Sequence, residues 1–315
     1  NEFFTRCPAL IIGVTGTKGK GTTCSLIASI LRASGRNVHL VGNIGTPALD
    51  TLSSIQPDDV VVYEMSSFQL WDIKMSPKIA VVLMIEQDHL DVHADMNEYL
   101  LAKSNIVKYQ SSDDIVIYHP TNPNTAKVVE GALSHKVRYA IPDDRQVYVR
   151  DDLFFIQNRP ICSVDAMQIP GAFNCENACA AISAALLAGA SVDAVEAGLR
   201  SFAGLPHRLK FVREVNNVRY YDDSIATTPG SAIAALSAFT QPKVIILGGS
   251  DKGADYHTLI EACRDAEAAV VAIGQTGGRI YDLCKELGVS VHRETGDMNA
   301  VVAVASSIAK ENGVI

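Results

Sequence analysis

Three observations place this chain in the α/β class. Strand-like apolar runs alternate with helical sequence almost throughout its 315 residues, the pattern of a mostly parallel sheet covered by helices. A glycine-rich turn joins the first strong strand to the first strong helix, and a second strand–helix series starts near residue 205. The length itself suits two domains. We expect a central α/β domain over 1–204, its mostly parallel sheet carrying a small antiparallel addition, and a second α/β domain over 205–315.

The elements follow in order. ALIIGV at 9–14 reads as a strand running into a helix at about 22–33, and VHLV (38–41), VVVY (60–63), IAVVLMI (79–85) and IVIY (115–118) continue the same sheet. The helical stretch MNEYLLAKSNIVKY places Met96, Leu100, Lys103 and Val107 on one stripe, so a lysine shares the apolar face. From 136 to 170, VRYAI, VYV and LFFI are split by Pro and Asp turns and read as short antiparallel strands. An Ala-rich helix follows at about 174–188, with Gly189 as its C-cap. Gly204-Leu205-Pro206-His207 marks the junction, after which VRYYDDS, KVIILGGSDKG, AAVVAIGQTG and VSVHRE each lead into helical sequence. Residues 298–310 read as a helix and Gly313-Val314-Ile315 as the opening of a strand, so we expect a piece of a longer protein.

Composition removes several function classes. With 48% hydrophobic and 20% charged residues the chain is globular rather than disordered. Asp and Glu outnumber Lys and Arg by 35 to 27, which leaves no basic footprint for nucleic acid or an anionic membrane. No apolar run of about 20 residues is present and the start lacks a signal peptide's pattern, so we expect a cytoplasmic protein. The seven cysteines are odd in number and scattered, as reduced thiols are, and Cys175 and Cys179 lack a second pair at zinc spacing.

The chemistry-bearing residues cluster at strand ends. Residues 13–23 read GVTGTKGKGTT between strand and helix, where backbone N–H groups and a helix N-terminus hold phosphate oxygens and Lys20 reaches the terminal phosphates. The fit to a P-loop is imperfect: Val14 stands at the first glycine position and Gly21 displaces the hydroxyl residue, so Thr22 or Thr23 serves Mg²⁺. Glu64 follows VVVY, and Asp88, His89 and Asp91 follow IAVVLMI, both at the carboxyl ends where open sheets bind ligands. A carboxylate, a hydroxyl and an imidazole suit a divalent cation bridging phosphates. Taken singly, each has a plainer reading: His89 as a surface histidine, and Lys103 as a stem packed on the sheet with its ammonium in solvent. His207 and Arg208 at the junction, Asp222-Asp223 at a strand end and Lys252 in GGSDKG read either as ligand contacts or as hinge and turn residues.

Together these residues resemble the ATP-dependent Mur ligase family over essentially the whole chain. TGTKGKGTT (15–23), GNIG (42–45), EMSSFQL (64–70), QDHLDVH (87–93), EYLLAK ending at Lys103, GAFNCENACAA (171–181), GLPHRL (204–209), DDSIATTP (222–229) and GGSDKGAD (248–255) follow in family order. SSFQL and GLPHR resemble the members that add D-glutamate. The resemblance implies a P-loop-type central domain and a Rossmann-like second one, acting as a monomer on small molecules. It implies that Gly16, Thr17, Lys18, Gly19, Lys20, Gly21, Thr22 and Thr23 hold ATP, with Asn174 and Asn177 on its adenine side and His207, Arg208 and Asp223 touching the nucleotide from the second domain. Thr22, Glu64, His89 and Lys103 are implied at two Mg²⁺ sites, with Lys103 carbamylated. Asn43, Ser66, Gln69, Thr227 and Lys252 are implied at the substrates UDP-N-acetylmuramoyl-L-alanine and D-glutamate. The catalytic set implied is Lys20, His89, Lys103 and Arg208, acting through an acyl phosphate. Ile225 departs from the pattern, standing where some D-glutamate ligases carry Lys. The family's N-terminal UDP-binding domain and last C-terminal segment are expected to be missing, so the chain as given is expected to bind Mg·ATP weakly and ligate poorly. Two alternatives are another ligase of this family or a folylpolyglutamate synthetase, and a non-catalytic ATP-binding module.

Overall fold

The apolar runs of the first half form one sheet. Strands β1 (Leu10–Thr15), β2 (Val38–Gly42), β3 (Val60–Glu64), β4 (Ile79–Val82), β5 (Ile115–Tyr118) and β6 (His135–Arg138) lie in the order β2-β3-β1-β4-β5-β6. Every pairing is parallel. Ile12, Val14, Val60, Val61, Val62, Ala80, Val81 and Val82 are buried, because helices cover both faces of such a sheet and its strands are apolar without alternation. The connection from β1 runs out to β2, whereas that from β4 runs the other way to β5. This reversal opens a crevice at the carboxyl ends beside β1.

The computed structural model describes residues 1–87, 92–142, 146–251 and 253–315. The chain divides into two compact units, 1–168 with 173–202, and 169–172 with 203–315.

The α/β expectation holds, with corrections in detail. The strand expected over 79–85 ends at Val82, and residues 83–85 leave the sheet under side-chain control. The Leu83 amide still bonds the β1 backbone, donating to the Thr15 carbonyl at 2.9 Å, but Thr125 Oγ1 donates to the Leu83 carbonyl at 3.0 Å and Asn124 Nδ2 to the Ile85 carbonyl at 3.0 Å. VRYAI is no part of the antiparallel addition. Its first residues complete β6, which the crossover helix Pro123–Val129 brings back parallel to β5. The addition is instead β7 (Val147–Arg150), β8 (Leu153–Ile156) and β9 (Arg159–Ser163), joined by two-residue turns. Asp151, Asp152, Gln157 and Asn158 all have positive φ, between 49° and 61°, the backbone of tight hairpin turns. The helix Lys20–Ala33 packs on the helix Asp193–Ser201 so closely that a Cβ on Gly198 would lie 2.5 Å from Ile30 Cα.

In the second unit VRYYD forms a strand followed by the helix Pro229–Ser237, as the strand–helix series expects, and it pairs back on a strand before it. β10 (Lys210–Val215) and β11 (Val218–Asp222) form an antiparallel hairpin, folded back by Asn216 and Asn217 with φ of 51° and 61°. β12 (Val244–Gly248), β13 (Ala269–Ile273) and β14 (Val291–Arg293) form the parallel sheet. Residues 313–315 do behave as the opening of a strand. Val314 bridges both Arg219 and Lys243 in parallel, the Tyr221 amide donates to the Ile315 carbonyl at 2.8 Å, and the Val244 amide donates to that of Val314 at 2.9 Å. A cavity of about 420 Å³ lies alongside, lined by Tyr221, Leu236, Ile246, Leu247 and Ile315. Among the described residues, no helix is long and apolar enough to cross a membrane.

Candidate functional site

The crevice beside β1 gathers most of the residues marked in the first half of the sequence. The strand ends at Thr15, the chain turns through Gly16–Gly19, and the helix begins at Lys20. Gly19 caps that helix with φ of 84°, a conformation that favours glycine. Helix amides and dipole then face the turn, where an anion is stabilised.

Two lysines meet there. Lys20 Nζ donates to the carbonyls of Gly16 at 3.2 Å and Thr17 at 2.9 Å. Lys103 Nζ donates to the same Gly16 carbonyl at 2.9 Å and to Thr15 Oγ1 at 3.4 Å. Both ammoniums therefore lie within about 6 Å of each other. Lys103 is only 1% exposed and its Nζ sits 4.6 Å from the centre of the Tyr99 ring, so its ammonium does not snorkel to solvent as the plainer reading has it.

Glu64 ends β3 and is buried, with Asn43 Nδ2 donating to its Oε1 at 3.4 Å. The Cys24 thiol registers both charged neighbours. Burial first, then the Glu64 carboxylate, push its pKa well up, while the Lys20 ammonium opposes them. Thr22 and Thr23 are buried, and Thr23 Oγ1 donates to Asn177 Oδ1 at 3.5 Å. Asn177 also donates through Nδ2 to Asn174 Oδ1 at 3.2 Å, and it packs against the Cα of Gly19. The glycine turn, Thr23, Asn174 and Asn177 thus form one contact set. Lys18 is exposed. A carboxylate and a hydroxyl are hard oxygen donors of the kind Mg²⁺ takes, and Glu64 and Thr22 supply them. Among the described residues no three His, Cys, Asp or Glu side chains gather as a metal cluster. Asp88, His89, Asp91 and Lys252 lie outside the described residues.

Ser66 and Gln69 close a capping box on the short helix Ser67–Leu70. The Gln69 amide donates to Ser66 Oγ at 3.3 Å and the Ser66 amide to Gln69 Oε1 at 2.9 Å. What they keep for a ligand is donors: one hydroxyl proton and the Gln69 side-chain NH₂.

In the second unit, His207 has φ of 60° and its Nδ1 lies 2.7 Å from Asp222 Oδ2. The Leu209 amide donates to Asp223 Oδ1 at 2.9 Å. Burial opposes the Asp222 carboxylate, but the Ser224 amide and hydroxyl and His207 outweigh it and hold its pKa below the usual range. Asp223 is pushed up, by burial first and by Asp222, against the Leu209 amide and Arg208. Arg208 and Thr227 are exposed, and Thr227 precedes Thr228, whose side chain caps the helix Pro229–Ser237.

Sequence reasoning passed over Tyr99. Its hydroxyl lies 3.1 Å from Thr17 Oγ1, which donates to the Glu86 carbonyl at 3.1 Å and accepts from the Glu86 amide at 3.0 Å. The available signal was its place one helical turn before Lys103.

Comparison with known proteins gives this geometry a context. Residues 14–185 match the Mur ligase middle domain and residues 207–315 the Mur ligase glutamate ligase domain. The UDP-N-acetylmuramoylalanine–D-glutamate ligase of Clostridium kluyveri is 37% identical over 293 residues, covering 92% of this chain and 64% of the relative. The enzyme of the same name from Symbiobacterium thermophilum is 38% identical over 312 residues, 96% of this chain and 69% of the relative. The chain thus spans about two thirds of the length of these relatives. Among solved structures, MurF from Acinetobacter baumannii superposes with a TM-score of 0.75 at 19% identity, covering 99% of this chain and 74% of its own. MurF ligase from Thermotoga maritima in complex with ADP gives 0.74 at 18% identity, with 99% and 77% coverage. At that identity the likeness concerns the fold.

Proposed function

Because the chain belongs to the Mur ligase family, carrying its middle and glutamate ligase domains, we propose that it is the ATP-dependent part of a ligase joining D-glutamate to UDP-N-acetylmuramoyl-L-alanine. The observation that supports this best is the convergence of Lys20 and Lys103 on the Gly16 carbonyl at the mouth of the crevice, with Glu64 beside it. A polyphosphate held by the Lys20 ammonium and a helix N-terminus is stabilised most where its charge shifts during transfer, while a carbamylated Lys103 would turn its carboxylate to Mg²⁺ beside Glu64.

In this reading ATP lies along Gly16–Thr23, with Lys20 on its terminal phosphates and Asn174 and Asn177 on the adenine side. The substrate carboxylate attacks the γ-phosphorus, the bond to the β–γ bridging oxygen breaks, and ADP leaves. The amine of D-glutamate then attacks the acyl carbon and inorganic phosphate departs with the amide formed. The work of the protein is orientation and charge neutralisation. Mg²⁺, when bound, neutralises phosphate charge, and Glu64, Thr22 and His89 are its proposed ligands. A carbamylated Lys103 belongs to the same proposal, supported by the burial of its side chain in the crevice. Asn43, Ser66 and Gln69 are assigned to the muramoyl substrate, Thr227 and Lys252 to D-glutamate, and His207, Arg208 and Asp223 to the nucleotide. A cytoplasmic, monomeric protein with residues 1–204 and 205–315 as its domains completes the proposal.

The test has two steps. Calorimetry of the 315-residue chain is expected to show Mg·ATP binding that Lys20→Ala abolishes. Phosphate release is then measured on the chain extended by the flanking segments of its Clostridium kluyveri relative, with UDP-N-acetylmuramoyl-L-alanine and a panel of D-Glu, L-Glu, L-Lys and meso-diaminopimelate. Release with D-Glu alone is the expected result. Release with another acceptor reassigns the substrate, and ATP binding without release for any acceptor returns the fold to a non-catalytic role.

A further inference from the structure

The segment 87–93 ends in a residue that the reaction above leaves unused. His93 has no exposed side-chain surface. Its imidazole stacks on Trp71 at 4.4 Å and on Phe68 at 5.6 Å, each within 14° of parallel, and meets the Tyr99 ring edge-on at 5.2 Å. Nε2 lies 3.0 Å from Ser67 Oγ. Nδ1 is buried with no hydrogen-bond partner, and the carboxylate oxygen Glu98 Oε2 at 3.9 Å already accepts the Ala94 amide at 2.6 Å.

A phenylalanine would fill this aromatic niche without orphaning a nitrogen, and a buried polar atom lacking a partner costs stability. What the imidazole adds is the contact to Ser67. That contact serves either tautomer, with Nε2–H donating to Ser67 Oγ or Nε2 accepting the hydroxyl proton. Ser67 opens the four-residue helix Ser67–Leu70, far too short to hold its own shape. Its far end is pinned by Asn105, whose Nδ2 donates to the carbonyls of Leu70 at 2.8 Å and Trp71 at 3.1 Å. Asn105 belongs to the helix Met96–Lys108, which carries Lys103. The turn is therefore held at both ends.

We propose that His93 is a positioning residue: it fixes the Ser66–Gln69 capping box against the helix carrying Lys103. The donors of Ser66 and Gln69 are thereby aimed at the muramoyl substrate, an extension that rests on the function proposed above.

Two variants separate the ring from the hydrogen bond. His93→Phe keeps the stack and loses the Nε2 contact, whereas His93→Gln loses the stack and keeps an amide group near the Nε2 position. Emission from Trp71, the single tryptophan of the chain, reports whether the stack survives in each. Hydrogen exchange of the Gln69 and Leu70 amides, which donate to Ser66, is the ligand-free readout. His93→Phe is expected to speed their exchange about tenfold, the loss of one buried hydrogen bond, while β1 amides stay unchanged and His93→Gln restores protection. Unchanged exchange at Gln69 and Leu70 in His93→Phe, or acceleration shared equally by β1, overturns the proposal. Binding then tests the extension. Measured on the chain extended by the flanking segments of its Clostridium kluyveri relative, affinity for UDP-N-acetylmuramoyl-L-alanine is expected to fall about fivefold to tenfold in His93→Phe, with Mg·ATP affinity within about twofold. Faster exchange with unchanged affinity supports the positioning role and overturns the assignment of Ser66 and Gln69 to that substrate.

Discussion

Replacing Gly19 by alanine probes the join between the phosphate turn and the Asn174–Asn177 pair. Gly19 has φ of 84°, and a Cβ there would collide with Asn177 Oδ1 and come within 3.0 Å of its Cγ. The backbone strain alone costs about 1–2 kcal/mol for a non-glycine residue. Displacing Asn177 also disturbs its bonds to Asn174 and Thr23, worth about 1 kcal/mol more. Gly35 supplies the control: its φ is 79° and no atom lies within 4 Å of the same added carbon. Urea denaturation of Gly19→Ala, Gly35→Ala, Asn177→Ala and the Gly19→Ala/Asn177→Ala double variant isolates the steric part. We expect Gly19→Ala to cost about 2–3 kcal/mol and Gly35→Ala about 1–2, with about 1 kcal/mol of coupling between positions 19 and 177. Calorimetry should show Mg·ATP affinity reduced about tenfold in Gly19→Ala and unchanged in Gly35→Ala. Equal costs for the two glycine variants, or zero coupling to Asn177, would refute the argument.

Three further outcomes follow from the same structure. Glu64→Gln should weaken nucleotide binding in the presence of Mg²⁺ by at least about tenfold while leaving metal-free ATP binding nearly intact, as titrations with and without a chelator would show. The Asp222 pKa is lowered on folding, so its contribution is present above its unfolded value near 3.9 and lost as pH falls through the folded value. Asp222→Asn should flatten that acid limb; Asp223, with its pKa raised, has the opposite sign, and Asp223→Asn should relieve a penalty that grows as pH rises. Burial pushes Cys263 up to about 12 and Cys284 up to about 11, so both should resist a thiol reagent at pH 8 until the chain unfolds, while the partly buried Cys7, whose thiol burial also pushes up, should react in the native protein faster than either.

Much of the site was legible because its residues stand in sequence-local patterns. The run from Gly16 to Thr23 sits between a strand and a helix, and Glu64 follows a strand directly, so parallel pairing alone brings them to one edge. Lys103 betrayed itself by sharing an apolar stripe. The strands between about 135 and 150 were harder, since VRYAI and VYV look alike locally and only the crossover helix before β6 decides that the first joins the parallel sheet. Tyr99 and His93 escaped notice for a related reason. Their meaning lies in partners tens of residues away, Thr17 and Ser67, and aromatic or histidine residues on a buried face read as ordinary core.

The seating of residues 313–315 between β11 and β12 bears on how the second unit comes into being. The hairpin β10–β11 closes through its own two-residue turn, but its outer edge gains a neighbour only when Val314 arrives, roughly 70 to 95 residues after the strands it bridges. At ribosomal speed that interval lasts on the order of 5 to 20 s. Throughout it, β11 offers unpaired backbone groups at Arg219 and Tyr221, an invitation to sticky encounters with other nascent chains. The outer edge of β11 is therefore among the last parts of this unit to be paired, an early hairpin awaiting a late strand.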